Sequence, residues 1–377
     1  MAADSLPAQE FTPTGRPAEA SAVGRLAPSP TGALHLGNAR SFLIAWLHAR
    51  LAGARLLLRI EDLDGPRIKP WAVAQIVADL TYLGLDWDAE TARQTARADR
   101  YQAVFEKLWR QGLLYPCDCT RREAEAAASA PHAGDWSQPY PQTCRPRAAT
   151  LNFKLPWPAQ AEPWSKGGSS AGNRAPVFRL RLPADLAPIE FGDQFAGPQR
   201  FEIARLTGDF VAAKSPPVPA YQLAVVIDDA DDGVNQVVRG DDLLPSTALQ
   251  IHLQRLLELP TPAYLHLPLL VGPDGRRLAK RHGDTRLAHF RERGIAGARI
   301  VGVLAQRSGL VEDGAALTAA ELLAACRSKL ASWLPRQAAA SAAAAPTGVP
   351  SGSDVAAWLR SILPHAPMVI TAAEIVP

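Results

Sequence analysis

Between residues 23 and 64 a short apolar run, VGRLA, meets a loop of constrained residues, PSPTG. An apolar-periodic stretch from Leu34 to Leu51 follows, and then a second apolar run, ARLLLRIEDLD. In the middle stretch Leu36, Phe42, Leu43, Trp46 and Leu47 recur at helical spacing. Strand, helix and strand in that order call for a parallel pair joined by a crossover, since an antiparallel pair needs only a tight turn. Helices expected over 69–84 and 97–112 repeat the pattern, so the chain reads as α/β with a parallel, doubly wound sheet. Ligands of such sheets collect at the carboxyl ends of the strands, where both PSPTG and IEDLD fall.

The loop has chemistry of its own. Pro28 and Pro30 stiffen it, while Gly32 and Gly37 omit side chains where a ligand could approach. Ser29 and Thr31 are candidates to cap the helix. With a helix start near Leu34, His35 and Asn38 share one face of the first turn. Free N–H groups and the helix dipole would then favour a phosphate, and the imidazole could stabilise charge developing on phosphorus. Taken alone, such a segment is more often an ordinary helix start.

RLAPSPTGALHLGNAR (25–40) closely resembles the HIGH segment of class I glutamyl-type aminoacyl-tRNA synthetases, with His35-Leu36-Gly37-Asn38 at the HIGH position. LLLRIEDLD follows at that family's spacing. Far down the chain, GRRLAKRHGD (275–284) resembles the family's KMSKS loop. Its match is Arg277-Leu278-Ala279-Lys280-Arg281, with Ala279 where the family usually has serine. The resemblance covers about residues 23–311. It implies a class I synthetase Rossmann-type parallel sheet, activation of L-glutamate with ATP, and catalytic roles for His35, Asn38 and Lys280. It further implies ATP binding at His35, Gly37, Asn38 and Lys280, with Mg²⁺ held chiefly by the ATP phosphates.

A glutamate substrate carries two carboxylates and an ammonium, so its site needs arginines and an acid. The family's glutamate-binding positions fall here on Arg25, Leu26, Ala27, Pro28, Ser29, Glu61, Tyr221 and Arg239. Arg25 is the better candidate for the side-chain carboxylate and Glu61 for the ammonium. The alternative for Glu61 is a structural ion pair with Arg59, Arg25 or Arg239. The acidic run Asp228, Asp229, Asp231 and Asp232 reads as a solvated turn.

Three of the four cysteines, Cys117, Cys119 and Cys144, cluster in one segment, and only Cys326 lies apart. Without a secretion signal such a cluster favours metal over disulfide. Bacterial glutamyl-tRNA synthetases that hold zinc here supply a histidine two residues past the last cysteine, where this chain has Pro146. The C-x-C…Y-x-x-x-C arrangement instead resembles glutamyl-queuosine tRNA(Asp) synthetases. That implies one structural Zn²⁺ on Cys117, Cys119, Tyr140 and Cys144. His132 is a rival fourth ligand, and three reduced cysteines without metal are the plain alternative.

The expected organisation is a loose extension over 1–22, the first half of the catalytic domain over 23–115, and an inserted α/β subdomain over 116–215. That insertion bears the zinc segment, antiparallel strands in VFRLRLP and RFEIARLTGDFVAAK, and a flexible loop over 159–175. The second half of the catalytic domain spans 216–285, reading over 220–259 as strand, acidic turn, strand, and a helix opening near Ser246 and Thr247. A short helical C-terminal region over 286–330 precedes an alanine-rich tail over 331–377, with a linker at 335–353 and a helix at 354–363. The balance of 40 Lys+Arg against 37 Asp+Glu permits a nucleic-acid partner without demanding one. No apolar run of about 18 residues appears, so no membrane span is expected. The first 22 residues lack the apolar core of a signal peptide. A cytoplasmic monomer is expected.

With only 96 residues after Arg281, the large helical anticodon-binding region that glutamyl-tRNA synthetases carry after the KMSKS loop is not expected here. The resemblance therefore implies glutamate transfer to queuosine in the anticodon of tRNA(Asp). The rival readings are a truncated glutamyl-tRNA synthetase charging tRNA(Glu), and a non-catalytic synthetase paralogue.

Overall fold

Strand β1 (Val23–Leu26) is buried at every position, as a strand covered on both faces must be. Helix α1 (Leu36–Leu51) carries the chain back, and β2 (Arg55–Leu58) lies parallel to β1, with Val23 opposite Arg55 and Leu26 opposite Leu58. Helix α2 (Pro70–Tyr82) leads to β3 (Ala89–Glu90), parallel to β2, and α3 (Ala98–Arg110) follows. The parallel crossover sheet expected from the sequence is thus present in the computed structural model. The structure describes residues 22–63, 65–117, 139–148, 176–215, 218–276, 278, 284–341 and 349–376. The 159–175 loop lies outside them.

The middle of the chain turns antiparallel. It contains β4 (Leu114–Cys117), the short helix α4 (Cys144–Ala148), β5 (Val177–Leu180) and the ribbon of β6 (Ile189–Asp193) and β7 (Gly197–Phe201). A helical turn, α5 (Ile203–Leu206), then precedes β8 (Val211–Ser215) and β9 (Val218–Pro219). Strands β4, β5, β8 and β9 form one antiparallel sheet in that order. RFEIARLTGDFVAAK, read from its alternation as strand, is interrupted by α5.

The stretch expected as a strand and an acidic turn is a helix, α6 (Tyr221–Asp231). Its residues from Gln222 to Asp229 are all buried. A helix covered all round has no polar face to betray its period, so a short apolar run reads equally well as a strand. Strand β10 (Gln236–Gly240) and helix α7 (Leu244–Leu257) follow, the helix opening just before Ser246 with Pro245 in its first turn. Strand β11 (Ala263–Leu267) lies parallel to β10 with Arg239 opposite His266. Asn235 ties β10 to β1: its Oδ1 accepts from the Val23 N–H at 2.8 Å, and its own N–H donates to the Val23 carbonyl at 3.1 Å.

After β12 (Leu270–Val271) come α8 (Leu287–Glu292), α9 (Gly297–Arg307), α10 (Ala319–Ser341), α11 (Gly352–Ile362) and β13 (Met368–Val369). Where the alanine-rich sequence suggests a linker from residue 335, α10 runs through Pro335 to Ser341. The tail also belongs to the core. Val355, Ala356, Trp358 and Leu359 share one apolar cluster with Leu43 and Leu47 of α1, and β13 pairs parallel with β12. Gly352 permits that docking, because a Cβ there would lie 1.9 Å from Gln236 Nε2. Its carbonyl accepts from His48 Nε2 at 3.1 Å. Burial drives the His48 pKa down to about 4, so the ring donates in its neutral form. No helix among the described residues is long and apolar enough to cross a membrane.

Trp358 is only 2% exposed, so its truncation opens a cavity beside α1. Trp358→Ala is expected to lower stability by about 3–5 kcal/mol, read from equilibrium urea unfolding. A loss below about 1 kcal/mol would make the tail an appendage.

Candidate active site

His35, and not Ser29 or Thr31, is the N-cap of α1, and the helix opens at Leu36. Its Nδ1 accepts from the N–H groups of Gly37 at 3.1 Å and Asn38 at 3.4 Å, while Asn38 Oδ1 accepts from the His35 N–H at 3.3 Å. The Leu36 N–H donates to the Thr285 carbonyl at 3.0 Å and the Ala39 N–H to the His35 carbonyl at 2.9 Å. The first-turn N–H groups expected to stand free for a phosphate are therefore all engaged. What the helix presents instead is an imidazole. With Nδ1 accepting, the neutral ring carries its proton on Nε2. Gly37 makes this possible, because a Cβ there would stand 2.9 Å from His35 Cε1 and 3.0 Å from Nδ1.

The Leu36–Thr285 bond is one of a pair, for the Leu287 N–H donates to the Leu34 carbonyl at 2.8 Å. Residues just beyond the KMSKS-like loop thus pair with the HIGH-like segment. Within that loop Leu278 is buried in the same apolar cluster as Leu34 and Leu36. Arg277, Ala279, Lys280 and Arg281 lie outside the described residues.

A cleft of about 380 Å³ opens at the carboxyl ends of β1, β2 and β10. Arg25, Ala27, Pro28, Ser29, His35, Gly37, Asn38, Glu61, Tyr221 and Arg239 all line it. Leu26 does not: its side chain is fully buried in the core, and its carbonyl accepts from the Arg59 N–H at 2.9 Å. Gln94 and Asp242, which no motif singled out, complete part of the wall.

Arg239 is held from behind. Its Nε donates to His266 Nε2 at 2.9 Å, and its Nη2 donates to Thr247 Oγ1 at 2.7 Å and Gln250 Oε1 at 2.8 Å. Its Nη1 is buried with no hydrogen-bond partner among the described residues, a state that costs free energy unless a ligand fills the gap. Arg25 Nε lies 3.5 Å from Asp229 Oδ1. Burial pushes the Glu61 carboxyl above the usual carboxylate range, against the pull of Arg59 and Arg25. The ion-pair alternative for Glu61 is realised with Arg59, at 3.3 Å, while Glu61 still lines the cleft. Burial raises the Tyr221 hydroxyl to about 12, so it stays a neutral phenol.

The acidic run is not a solvated turn. Asp228 and Asp229 are buried in the last turn of α6, where the helix dipole disfavours acids. Arginines offset this. Arg59 Nη2 lies 2.6 Å from Asp229 Oδ1, and Arg59 Nη1 lies 3.3 Å from Asp232 Oδ2. Arg97 reaches Asp228, Asp231 and Asp232 at 3.1, 2.8 and 3.2 Å, and Arg100 binds Asp231 at 2.8 Å. Tyr101 Oη and Gln94 Nε2 donate to Asp228 at 2.8 and 2.7 Å. Burial drives Asp229 upward, but Arg59 and Arg25 overcome it and hold its carboxyl below the usual range.

Of the zinc candidates, Cys117, Tyr140 and Cys144 share one buried cluster. Cys117 Sγ lies 3.4 Å from Tyr140 Oη, and that oxygen accepts from the Cys144 N–H at 3.0 Å. Arg179 Nε donates to Cys117 Sγ at 3.2 Å, and its guanidinium stacks 3.5 Å over the Tyr140 ring. Cys119 and His132 lie outside the described residues, and among those described no three His, Cys, Asp or Glu are placed to hold a metal ion. Cys326 sits apart in the helical cluster, where burial raises its thiol to about 12.

The parallel sheet, the imidazole-capped helix and the return segment paired against it are parts of one catalytic-domain plan. The chain belongs to the family of class I tRNA synthetases (E and Q), catalytic domain, which it matches over residues 22–328. It is similar to the glutamyl-Q tRNA(Asp) synthetases of Rhodopirellula baltica and Symbiobacterium thermophilum, each at 46% identity. Those matches span 78% and 80% of this chain and 87% and 90% of theirs. The glutamyl-Q tRNA(Asp) synthetase of Rhodobacter capsulatus is 41% identical, with 98% of its length covered. Among solved structures, the glutamate-tRNA synthetase of Elizabethkingia anophelis shares the fold with a TM-score of 0.66 at 22% identity, over 94% of this chain and 69% of that one. A glutamate tRNA ligase from Elizabethkingia meningosepticum, solved with its amino acid, gives a TM-score of 0.62 at 24% identity over 81% of this chain. The match spans 64% of that enzyme.

Arg59 is fully buried, so replacing it strands several carboxylates at once. Arg59→Met is expected to cost about 3–5 kcal/mol at pH 7 in urea unfolding. The sign of the pH effect follows from Asp229. Its depressed carboxyl stabilises the native protein above the unfolded value of 3.8 and loses that contribution as pH falls. In the variant the stranded carboxyls take up protons instead, so its deficit shrinks from pH 7 to pH 4.5. A deficit that stays constant or grows would contradict this role of Arg59 among the carboxylates.

Proposed function

We propose that the chain joins L-glutamate and ATP into glutamyl-adenylate and pyrophosphate without tRNA, then transfers the glutamate to queuosine in the anticodon of tRNA(Asp). The observation that carries the reading is the meeting of Arg25, Arg239 and Glu61 in one cleft beside the His35-capped helix. Two guanidinium groups match a dicarboxylic substrate, with Arg25 on its side-chain carboxylate and Glu61 on its ammonium. Ala27, Pro28 and Ser29 form the adjoining wall, and Tyr221 adds a neutral hydroxyl donor.

Activation needs no protein nucleophile. An oxygen of the substrate α-carboxylate attacks the α-phosphorus, the bond to the bridging oxygen breaks, and pyrophosphate leaves with its electron pair. The protein aligns the partners and stabilises charge. His35 Nε2–H and the Lys280 ammonium take that role at the phosphates, Gly37 and Asn38 fix the imidazole, and Mg²⁺ arrives with ATP. A zinc ion held by Cys117, Cys119, Tyr140 and Cys144 would cross-link the antiparallel segment and take no part in the reaction. The queuosine acceptor is supported by relatives of that name covered over 87% and 90% of their length.

Supplied with labelled glutamate, the enzyme is expected to load queuosine-bearing tRNA(Asp) and leave tRNA(Glu) unlabelled; the reverse outcome overturns the acceptor. Lys280→Ala should slow glutamate-dependent ATP–pyrophosphate exchange by roughly 10²–10³-fold, and a loss under about threefold would remove the lysine from catalysis. Elemental analysis of purified protein should find about one zinc per chain, lost in Cys117→Ser.

A further inference from the structure

The register of β10 and β11 places Arg239 beside His266, and the ladder alone does not fix how the guanidinium points. A second element does. His266 Nδ1 lies 2.6 Å from Asp193 Oδ2, at the end of β6 in the antiparallel ribbon. The other oxygen, Asp193 Oδ1, accepts from the N–H groups of Phe195, Ala196 and His266 at 2.9, 2.7 and 3.2 Å. Neither the aspartate nor the imidazole side chain has any exposure.

Protonation states follow from these contacts. A guanidinium N–H only donates, so His266 Nε2 must accept from Arg239 Nε. The neutral ring then carries its proton on Nδ1, where an ionised Asp193 receives it. Burial lowers His266 to about 4 despite the Asp193 hydrogen bond. Burial also drives Asp193 upward, but its bond to His266 and those to the backbone outweigh this and leave it below the usual range. Thr247 and Gln250 hold Arg239 Nη2, so with Nε fixed by the imidazole only Nη1 is left to meet a ligand.

We infer that Asp193 and His266 are positioning residues for glutamate recognition. Asp193 selects the Nδ1–H tautomer of His266, and that tautomer aims Arg239 so that Nη1 faces the substrate carboxylate. The inference rests on the proposed role of Arg239 as a glutamate ligand. It also ties that role to the β6–β7 ribbon, outside the parallel sheet.

Asp193→Asn separates this from a merely structural contact. The amide keeps Oδ1 for the three backbone N–H groups but puts an NH₂ where Oδ2 stood. That group can only donate to Nδ1, so the His266 proton moves to Nε2 and confronts the Arg239 N–H. Two donors facing each other in a buried site should raise the glutamate KM in pyrophosphate exchange by roughly 10–100-fold. The ATP KM should stay within about twofold, since nothing at the phosphates changes. ¹⁵N spectra of histidine-labelled protein should show Nδ1–H for His266 in the native chain and Nε2–H in the variant. An unchanged tautomer, or a flipped tautomer with an unchanged glutamate KM, overturns the relay. Should the variant fail to fold, the native spectrum still decides, because an imidazolium or an Nε2–H ring there is incompatible with it. Absence of glutamate-dependent exchange in the unmutated enzyme would instead defeat the functional reading, and the spectra distinguish the two.

Discussion

A guanidinium taken out of water must be met by anions, and Arg59 is fully buried beneath the cleft. Its requirement gathers carboxylates from distant parts of the chain: Glu61 from the end of β2, and Asp229 and Asp232 from the end of α6. Those acids lie at the wrong end of a helix dipole and within an apolar interior, so each side of the arrangement needs the other. Asp229 also stands 3.5 Å from Arg25, which makes the floor of the cleft one electrostatic unit. Glu61 holds the longer contact with Arg59, 3.3 Å against 2.6 Å for Asp229. Under the proposed function that leaves it the carboxylate to meet the substrate ammonium, which would also offset the burial that raises its carboxyl.

The side of the cleft at the start of α1 follows a different logic. A helix that uses its first N–H groups internally cannot offer them to a ligand. Capping by His35 converts two of those groups into a single oriented Nε2–H, set on a ring that Gly37 allows to lie against the helix. The dipole still acts through that ring. Pairing of residues 34–36 with 285–287 fixes the far end of the KMSKS-like loop against the same helix start. Loop and imidazole thus share one anchor although their sequences are remote.

The sequence made the βαβ unit legible because two short apolar runs flank a stretch that is far too long for a strand, the sixteen residues of α1. It misread α6, whose short, largely buried apolar run reads equally well as a strand, and with it the acidic run, whose arginine partners lie just past β2, just before α3 and on it. Alanine-rich composition hid the tail, since docking depends on Gly352 and Trp358 meeting surfaces that only the fold creates. Within the site, motif spacing led to the residues that face the cleft. The side chains that aim them, Arg59, Asp193, His266 and Gln250, carry no local signal: a lone histidine in AYLHLP reads as an ordinary core residue. Only strand register makes it the neighbour of Arg239.

The same donors bear on how such a cleft tells a carboxylate from its amide. Under the proposed reading, Arg25 and the neutral Tyr221 hydroxyl both offer hydrogens to the side-chain carboxylate. A side-chain carboxylate accepts from every direction, whereas an amide turns two N–H donors towards at least one of them. Tyr221 could rotate its hydroxyl to accept, but the Arg25 guanidinium cannot reverse roles. A buried donor left facing a donor costs about 1–3 kcal/mol, and more when one is charged. Rejection of glutamine therefore falls to Arg25 under that reading, while Arg239, held by the Asp193–His266 pair behind it, fixes the substrate's other carboxylate and so the position from which the side chain reaches Arg25.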